Sequence, residues 1–358
     1  MKTNKKFLSI LVVIATVISF TGCKNNASSL KTSQKKQPTT RTITDMSGEK
    51  VKIPTNIQKI GDSWPAHNEV LSMLGSGGKI VATVLTPQGR PWLYKVNPQM
   101  NRAETVFTAA DVNVEELLKT KPDIVFMPLS YKYGDKIASA GIPVVQLAFT
   151  NFEELKNCFK LTGDILGTEG KQKSTKYNSY LDSKLKMVKS ITSSIPKNQK
   201  PKVLHISSLS PLTVDGGDSI IDAWINVAGG TNAAGEIKGN MKVVSMEQVL
   251  KWNPDFIILG ADTKNSESVM NSDVWKKVTA VQNSKVVHNP DGAYMWDRYS
   301  AEEALQIQWA AKLLHPDKFN NLDIIKETIN FYKEFLNYTL TKEEANLILS
   351  GKPPIKPQ

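Results

Sequence analysis

Aromatic and basic side chains recur in loops that follow predicted strands, and this mixture is suited to holding a ligand. Indole and phenol rings pack against flat or aromatic molecules, and an Arg guanidinium captures carboxylate or catecholate oxygens with paired hydrogen bonds. The loops span residues 62–67, 87–92, 129–133, 207–211 and 291–299. The candidate ligand-binding residues in them are Trp64, His67, Arg90, Trp92, Tyr131, Lys132, Tyr294, Trp296, Arg298 and Tyr299. The alternative for each ring is a structural role, capping the core beneath its loop.

The histidine residues do not have the spacing of a metal site. They are scattered along the chain with no i,i+4 pair and no neighbouring Cys or carboxylate cluster, at His67, His205, His288 and His315. We therefore predict no metal site built by the protein and no resident cofactor. His67, Tyr131 or Tyr294 is a candidate contact to a metal that arrives inside its chelator.

Sequence motifs of catalysis are missing as well. Residues 75–79 read G-S-G-G-K, with two residues before the Gly-Lys pair where a phosphate-binding Walker loop needs four. The sequence has no G-x-S-x-G elbow, H-E-x-x-H motif or dinucleotide fingerprint. A nitrogenase-like metallocluster enzyme needs several Cys ligands, and Cys158 is the one cysteine besides Cys23. We predict that the chain is not an enzyme, with a secreted metal-dependent enzyme as the alternative from another class.

The N-terminus has the layout of a secretory signal. Three Lys residues precede an apolar run at 7–20, and Thr21-Gly22-Cys23 follows. The run is shorter than the roughly 20 residues that a membrane-spanning helix needs, although a plain membrane anchor is the alternative. Small residues directly before a Cys resemble a bacterial lipobox. We predict a signal peptide at 1–22, lipidation of Cys23, and a flexible polar tether at 23–40.

The charge distribution argues against nucleic-acid binding. The net charge of +11 includes eight basic and no acidic residues in the first 41 positions. From Thr42 onward, 37 basic residues face 34 acidic ones, so the folded part is nearly balanced. Cys158, in the context N-C-F-K-L-T, is predicted to be a buried helical thiol without a disulfide partner.

A duplicated stretch indicates two related lobes. Residues 112–127 and 244–259 are identical at six of 16 positions. Asn113 and Ser245 are helix N-caps, and Glu116 and Gln248 stand where a capping box needs them. A Pro-Asp pair then ends each helix, and an apolar run typical of a buried parallel strand follows.

Strand and helix patterns alternate on both sides of one long helical segment. The alternation predicts parallel sheets with helices on their faces, starting with a β-hairpin at 42–53 and a strand at 57–60. Residues 168–195 are amphipathic without an internal Pro, which predicts one helix. The predicted fold is α/β: two Rossmann-like lobes, 41–166 and 198–358, joined by a linking helix at 167–197. The pattern does not place the last two helices, at 324–335 and 342–349.

Taken together, these features resemble the helical-backbone substrate-binding proteins of bacterial ABC importers for ferric siderophores, haem and cobalamin. The resemblance covers residues 41–319. Its most specific parts are the duplicated unit, the opening hairpin at 44–54, Gly229-Gly230-Thr231-Asn232, and the segment 300–316.

The resemblance implies a function, a location and partners. The ligand should lie in a shallow cleft between the lobes, where the family places contacts at Trp64 and Arg298. Glu115 and Glu247 match the residues that dock on the two-fold permease. We expect a monomeric, lipid-anchored protein on the outer face of the cytoplasmic membrane that binds a metal chelate, with a ferric siderophore preferred. Haem, cobalamin or a small nickel complex is the alternative, and the stiff linking helix should limit lobe closure to a few degrees of rocking.

Overall fold

The computed structural model describes residues 39–261, 263 and 266–355. The predicted signal peptide, Cys23 and nearly all of the predicted tether lie outside these residues. Within them, no helix has both the length and the apolar character to cross a bilayer.

Strands and helices alternate along most of the chain. The strands are β1 Thr40–Thr44, β2 Lys50–Pro54, β3 Ile60–Asp62, β4 Ile80–Thr83, β5 Glu104–Thr105, β6 Ile124–Pro128, β7 Val144–Leu147, β8 Lys202–Leu209, β9 Leu212–Val214, β10 Thr231–Asn232, β11 Lys242–Val243, β12 Phe256–Leu259 and β13 Val286–His288. The helices are α1 Pro65–Met73, α2 Pro91–Val96, α3 Val114–Thr120, α4 Gly134–Ser139, α5 Phe152–Leu166, α6 Thr168–Thr192, α7 Ile220–Val227, α8 Met246–Trp252, α9 Ser266–Asn271, α10 Thr279–Gln282, α11 Glu303–Leu314, α12 Ile324–Phe335 and α13 Lys342–Leu349.

The first lobe is built on a parallel sheet with the strand order β5-β4-β3-β6-β7. The hairpin of β1 and β2 forms a separate antiparallel pair, as predicted. The predicted strand at 57–60 was wrong in position, since β3 begins at Ile60. The backbone N–H groups of Gln58 and Lys59 donate to the Asp123 carboxylate at 2.7 and 2.8 Å, so a side chain takes the place of a neighbouring strand as their acceptor.

The second lobe has a mixed sheet with the order β11-β9-β8-β12-β13. β8, β12 and β13 are parallel, whereas β9 and β11 add an antiparallel edge, and β10 pairs with the start of β8. Two α/β units, one on each side of α6, confirm the predicted fold class.

The duplicated stretch forms the same helix-strand unit in both lobes, α3 with β6 and α8 with β12. The Asp that both copies share, Asp123 in the first and Asp255 in the second, has a structural role. Asp123 accepts from the backbone N–H groups of Gln58 and Lys59, just before β3. Asp255 accepts from Lys202 N at 2.8 Å, where β8 begins. Each Asp therefore fixes its strand beside the central strand of its lobe. The capping box is complete in α8 but not as predicted in α3, where the Glu116 carboxylate binds Lys119 Nζ at 2.7 Å.

Helix α6 lies between the lobes and packs on α5 and α11. Its 25 residues extend roughly 38 Å at ~1.5 Å per residue, and it is slightly shorter than the predicted 167–197. Its buried face includes Tyr177, Leu181 and Leu185, which belong to a hydrophobic core that continues into both lobes. Helix α5 was not predicted, although the buried helical setting of Cys158 within it was.

The two terminal helices connect the lobes. Glu327 on α12 binds Lys184 of α6 at 2.6 Å. Glu344 on α13 binds Lys95 of α2, in the first lobe, at 2.6 Å. The chain after α13 also reaches α2, because Trp92 Nε1 donates to Lys352 O at 2.9 Å. These contacts add a second connection to the one made by α6.

Candidate functional site

The carboxyl ends of the parallel strands lead to three aromatic rings that we call the cleft floor: Trp64, Phe149 and Tyr299. Trp64 follows β3 and Phe149 follows β7, whereas Tyr299 belongs to the second lobe and precedes α11. The centroids of Trp64 and Phe149 lie 5.1 Å apart, and Tyr299 packs edge-on against them at 6.4 and 5.9 Å. Rings from both lobes thus pack together at the strand ends, where open α/β sheets bind ligands. Trp64 and Phe149 are buried, and Tyr299 is half-buried.

Tyr131 and Lys132 lie at the same edge of the first sheet, just after β6. The Tyr131 ring is half-buried, 5.5 Å from the ring of Tyr133, and Lys132 is exposed. Burial raises the pKa of the Tyr131 phenol, and the carboxylate of Asp62 raises it further. At neutral pH this side chain therefore offers a hydroxyl rather than a phenolate.

His67 does not face the cleft, which corrects its assignment as a ligand contact. The side chain is fully buried. Its Nδ1 lies 3.0 Å from Asp62 Oδ2, and its Nε2 lies 2.9 Å from Thr162 Oγ1. Both ring nitrogens are therefore already used. In the described part of the chain, no group of three or more His, Cys, Asp or Glu side chains is arranged to hold a metal ion.

Trp92 and Trp296 are core residues, which corrects their assignment to the cleft wall. Both indoles are essentially inaccessible to solvent. Trp92 is part of α2, and its indole N–H donates to Lys352 O of the C-terminal segment. At these two positions the aromatic ring packs in the core and does not stack on a ligand.

Arg90 and Tyr294 contact each other across the two lobes. The Arg90 guanidinium carbon lies 4.9 Å from the centroid of the Tyr294 ring, and its Nη1 lies 3.7 Å from Asp291 Oδ1. Tyr294 is 7% exposed. The pair is thus an inter-lobe contact rather than part of the cleft floor.

Behind Tyr299 lies a charge cluster of His205, Asp215, Asp297 and Arg298. His205 is fully buried, with Nδ1 2.7 Å from Asp215 Oδ2 and Nε2 3.0 Å from Asp297 Oδ2. Carboxylates accept hydrogen bonds and do not donate them, so both ring nitrogens must carry protons. Burial lowers the pKa of His205, but the hydrogen bonds to the two carboxylates outweigh it and raise the pKa to about 9.

The same cluster includes the predicted ligand contact Arg298. Its Nη2 lies 3.6 Å from Asp215 Oδ2. Burial raises the pKa of Asp215, but the bonded and charged His205, with Arg298, lowers it on balance, and the pKa of Asp297 behaves in the same way. Two cations and two anions therefore balance one another.

Unusual backbone conformations occur beside this cluster. Met241 and Tyr299 have φ angles of 53° and 55°, in the left-handed region that non-glycine residues seldom adopt. The Asn240 amide nitrogen contacts the Tyr299 hydroxyl, which joins the turn at 240–241 to the cleft floor. Met241 is 58% exposed. Such strain is typical of functional sites.

Below the floor, buried carboxylates cross the junction between the lobes. Glu69 of α1 accepts from Ala301 N at 2.9 Å and from Ser300 Oγ at 3.1 Å. Burial raises the pKa of Glu69 to about 8. Glu302 is also fully buried, and its pKa is raised well above the ordinary value by burial and by the charge of Glu69.

Glu115 and Glu247 occupy equivalent exposed positions in the first turns of α3 and α8. Glu115 is 84% exposed and lies 3.5 Å from Lys119 Nζ. Helices that follow strands start at the carboxyl edge of the sheets, so both carboxylates are expected at the edge that also carries the cleft floor.

Phe149, Asp215, Asn240 and Met241 were missed by the sequence interpretation. Phe149 follows β7 by two residues, so the rule that selected the other loops could have found it. Asp215 follows β9, an antiparallel strand that the parallel-strand rule does not cover. The turn at 240–241 lies in a segment without a strong pattern, and its φ angle is visible only in the structure.

Comparisons with known proteins agree on one family. A family described as "Periplasmic binding protein" matches residues 65–293. The chain is 26% identical over 329 residues to the Bacillus subtilis "Uncharacterized ABC transporter substrate-binding lipoprotein YvrC", covering 89% of this chain and 99% of the relative. It is 23% identical over 330 residues to the B. subtilis "Iron(3+)-hydroxamate-binding protein YxeB", covering 86% and 96%.

The fold is also found in a solved structure. The molybdate-bound crystal structure of the Haemophilus influenzae periplasmic binding protein MolA superposes with a TM-score of 0.76, covering 84% of this chain and 99% of that one. The sequence identity of 22% supports similarity of fold.

Proposed function

The chain belongs to the periplasmic binding protein family and is the binding protein of an ABC importer, and on that premise we propose that its ligand is an anionic ferric siderophore. Proteins of this family bind substrates and hand them to a permease, so the work is differential binding rather than catalysis. The ligand class is inferred from the aromatic and basic residues at the cleft of this chain. The names of relatives include an iron-hydroxamate binder, which supports the same class.

The observation that carries the proposal is the aromatic floor beside a basic wall. Tyr299 is the half-buried ring of a cluster whose other two rings, Trp64 and Phe149, are buried. Arg298 and Lys132 supply cations from opposite lobes. Aromatic rings suit the flat catecholate or hydroxamate arms of a chelate, and cations suit its negative charge. The metal would then be held by the chelator, not by protein side chains.

Titration with a defined set of ligands tests this assignment. A ferric tris-catecholate and a ferric trihydroxamate should each quench tryptophan fluorescence saturably at one-to-one stoichiometry, because Trp64 lies in the floor. Haem, cobalamin and a nickel–histidine complex cover the alternative ligands. Arg298→Ala should weaken the tris-catecholate complex about ten-fold or more, the usual loss for one hydrogen bond to a charged group. Unchanged affinity would remove Arg298 from the site.

A small oxyanion is a second candidate, favoured by one feature of the floor. Tyr299 contacts both rings of the first lobe, and those two rings are buried, which favours a ligand smaller than a flat chelate. The MolA structure contains molybdate in the same fold. Calorimetric binding of molybdate, with no binding of either ferric chelate, would assign the oxyanion instead.

We infer that the protein acts outside the cytoplasmic membrane, anchored through a lipid on Cys23, as a monomer. The lipobox-like sequence supports the anchor, and the YvrC name includes "lipoprotein". Glu115 and Glu247 would contact the permease dimer. Cys23→Ser should release the protein into the medium, and membrane retention of that variant would contradict lipid anchoring.

A further inference from the structure

Asp215 contacts several groups near the cleft floor, although no sequence motif singled it out. The residue is fully buried. Its Oδ1 accepts from Met241 N at 2.8 Å, and its Oδ2 lies 2.7 Å from His205 Nδ1 and 3.6 Å from Arg298 Nη2. Its own carbonyl accepts from Asn232 Nδ2 at 3.2 Å. One carboxylate thus connects the buried imidazolium, the basic wall and the turn at 240–241.

The two groups that Asp215 contacts, Arg298 and the turn at 240–241, are both connected to Tyr299 of the cleft floor. Arg298 immediately precedes Tyr299 in the chain, and Asn240 contacts the Tyr299 hydroxyl. Met241 sits in the left-handed region and exposes 58% of its surface, so its conformation needs an anchor. The hydrogen bond from its backbone N–H to Asp215 provides that anchor.

The cation on His205 offsets one of the two carboxylates in the cluster of Arg298. Two carboxylates share two cations, so the cluster has no net charge. Without His205, the two buried carboxylates would outweigh Arg298 and repel an anion.

We propose that Asp215 is a positioning residue that gives the cleft its selectivity for anionic chelates, by holding Arg298 and the Asn240–Met241 turn beside Tyr299. The proposal rests on the proposed function, because it specifies the ligand charge that the same cleft selects. Met241 then contributes an apolar, adaptable contact at the rim of the site.

Two probes that differ in charge test the selectivity. A ferric tris-catecholate is strongly anionic, whereas a ferric trihydroxamate without other charged groups is neutral. Asp215→Asn should weaken binding of the tris-catecholate about ten-fold and change binding of the trihydroxamate less than about two-fold. A purely electrostatic role predicts the opposite sign, since removing a negative charge next to Arg298 should strengthen anion binding. Stronger binding, or equal losses for both probes, would overturn the proposal.

Asp255→Asn is the matched control. It removes a carboxylate that also binds β8, but through the backbone N–H of Lys202 at the start of the strand and not through His205. It should lower stability without changing the ratio of the two affinities. If Asp215→Asn does not fold, Asp215→Glu serves in its place, because it keeps the charge for His205 but displaces the carboxylate by one methylene. Positioning predicts a loss of selectivity in that variant, and a retained ratio would refute it.

A ligand-free measurement separates this proposal from the choice of ligand. Hydrogen exchange followed by mass spectrometry should show faster exchange in segments 239–243 and 297–301 of Asp215→Asn, but not of Asp255→Asn. If the wild-type protein binds neither ferric probe, the proposed ligand class fails, and the exchange data still decide the positioning role. Unchanged exchange in both segments would refute positioning whatever the ligand.

Discussion

Replacing Glu69 with Gln should make the protein less sensitive to alkaline pH. Glu69 is fully buried at the lobe junction, and its carboxyl group accepts from Ala301 N and Ser300 Oγ. Burial raises its pKa from 4.5 to about 8, so the native side chain is mostly protonated at neutral pH. Gln keeps the accepting oxygen and places an NH2 group where the protonated acid carries its hydroxyl.

The size of the effect follows from the two pKa values. Below about pH 4.5 the carboxyl group is protonated in both states, so its contribution to stability is fully present there. As pH rises toward 8, the unfolded chain ionises while the native protein does not, and stability is lost. A difference of about 3.5 units corresponds to roughly 5 kcal/mol above pH 8, of which roughly 3 kcal/mol is lost between about pH 5 and pH 7.5.

Urea unfolding at these two pH values tests the reasoning. Glu69→Gln should be within about 1 kcal/mol of the wild type at pH 5 and should become the more stable protein at pH 7.5. Glu69→Ala is the control. It leaves two donors without their acceptor and should lose about 3 kcal/mol at pH 5. If the difference between the wild type and Glu69→Gln is the same at both pH values, Glu69 does not change its ionisation as argued.

Three further changes have defined outcomes. The pKa of His205 is raised from 6.5 to about 9, so its contribution to stability is full below pH 6.5 and is lost as pH rises through 9. Relative to His205→Gln, the wild type should lose about 3 kcal/mol of unfolding free energy over that window, measured by urea titration. Glu115→Lys with Glu247→Lys should reduce uptake of radiolabelled iron chelate to background while leaving binding by the purified protein unchanged; weaker binding would contradict docking. Trp92→Phe removes the hydrogen bond to Lys352 O and should cost about 1 kcal/mol and speed proteolysis of the C-terminal segment; unchanged proteolysis would show that this bond does not hold the segment.

The parts of the fold that local chemistry determines were predictable. N-caps and the residue before Pro define α3 and α8 in the sequence, and unbroken amphipathicity defines α6. Helix α5 begins at an equally clear signal, Asn151 accepting from Glu154 N, but lies outside the duplicated pattern that guided the interpretation. The register of β3 could not be read locally, because it depends on Asp123, which is more than 60 residues away in the chain.

The ligand-contact residues were harder to predict than the fold, because an aromatic residue can either contact a ligand or pack in the core. Trp64 and Trp92 both precede or begin a short helix after a strand, and the sequence offers no difference between them. The difference is tertiary: Tyr299 packs on Trp64, whereas the C-terminal segment covers Trp92. A hydrophobic pattern identifies a ring, but whether it meets a ligand or another part of the chain depends on long-range packing.

Each lobe contains a buried His–Asp pair, with the His on helix α1 in the first lobe and on strand β8 in the second, and the two pairs differ in chemistry. In the first lobe the second partner of His67 is the Thr162 hydroxyl, which can donate or accept. In the second lobe both partners of His205 are carboxylates, so the ring must be a cation. Under the proposed function, charge recognition is expected from Arg298 beside this cluster and from the exposed Lys132 of the first lobe, with Tyr299 as the half-buried stacking ring.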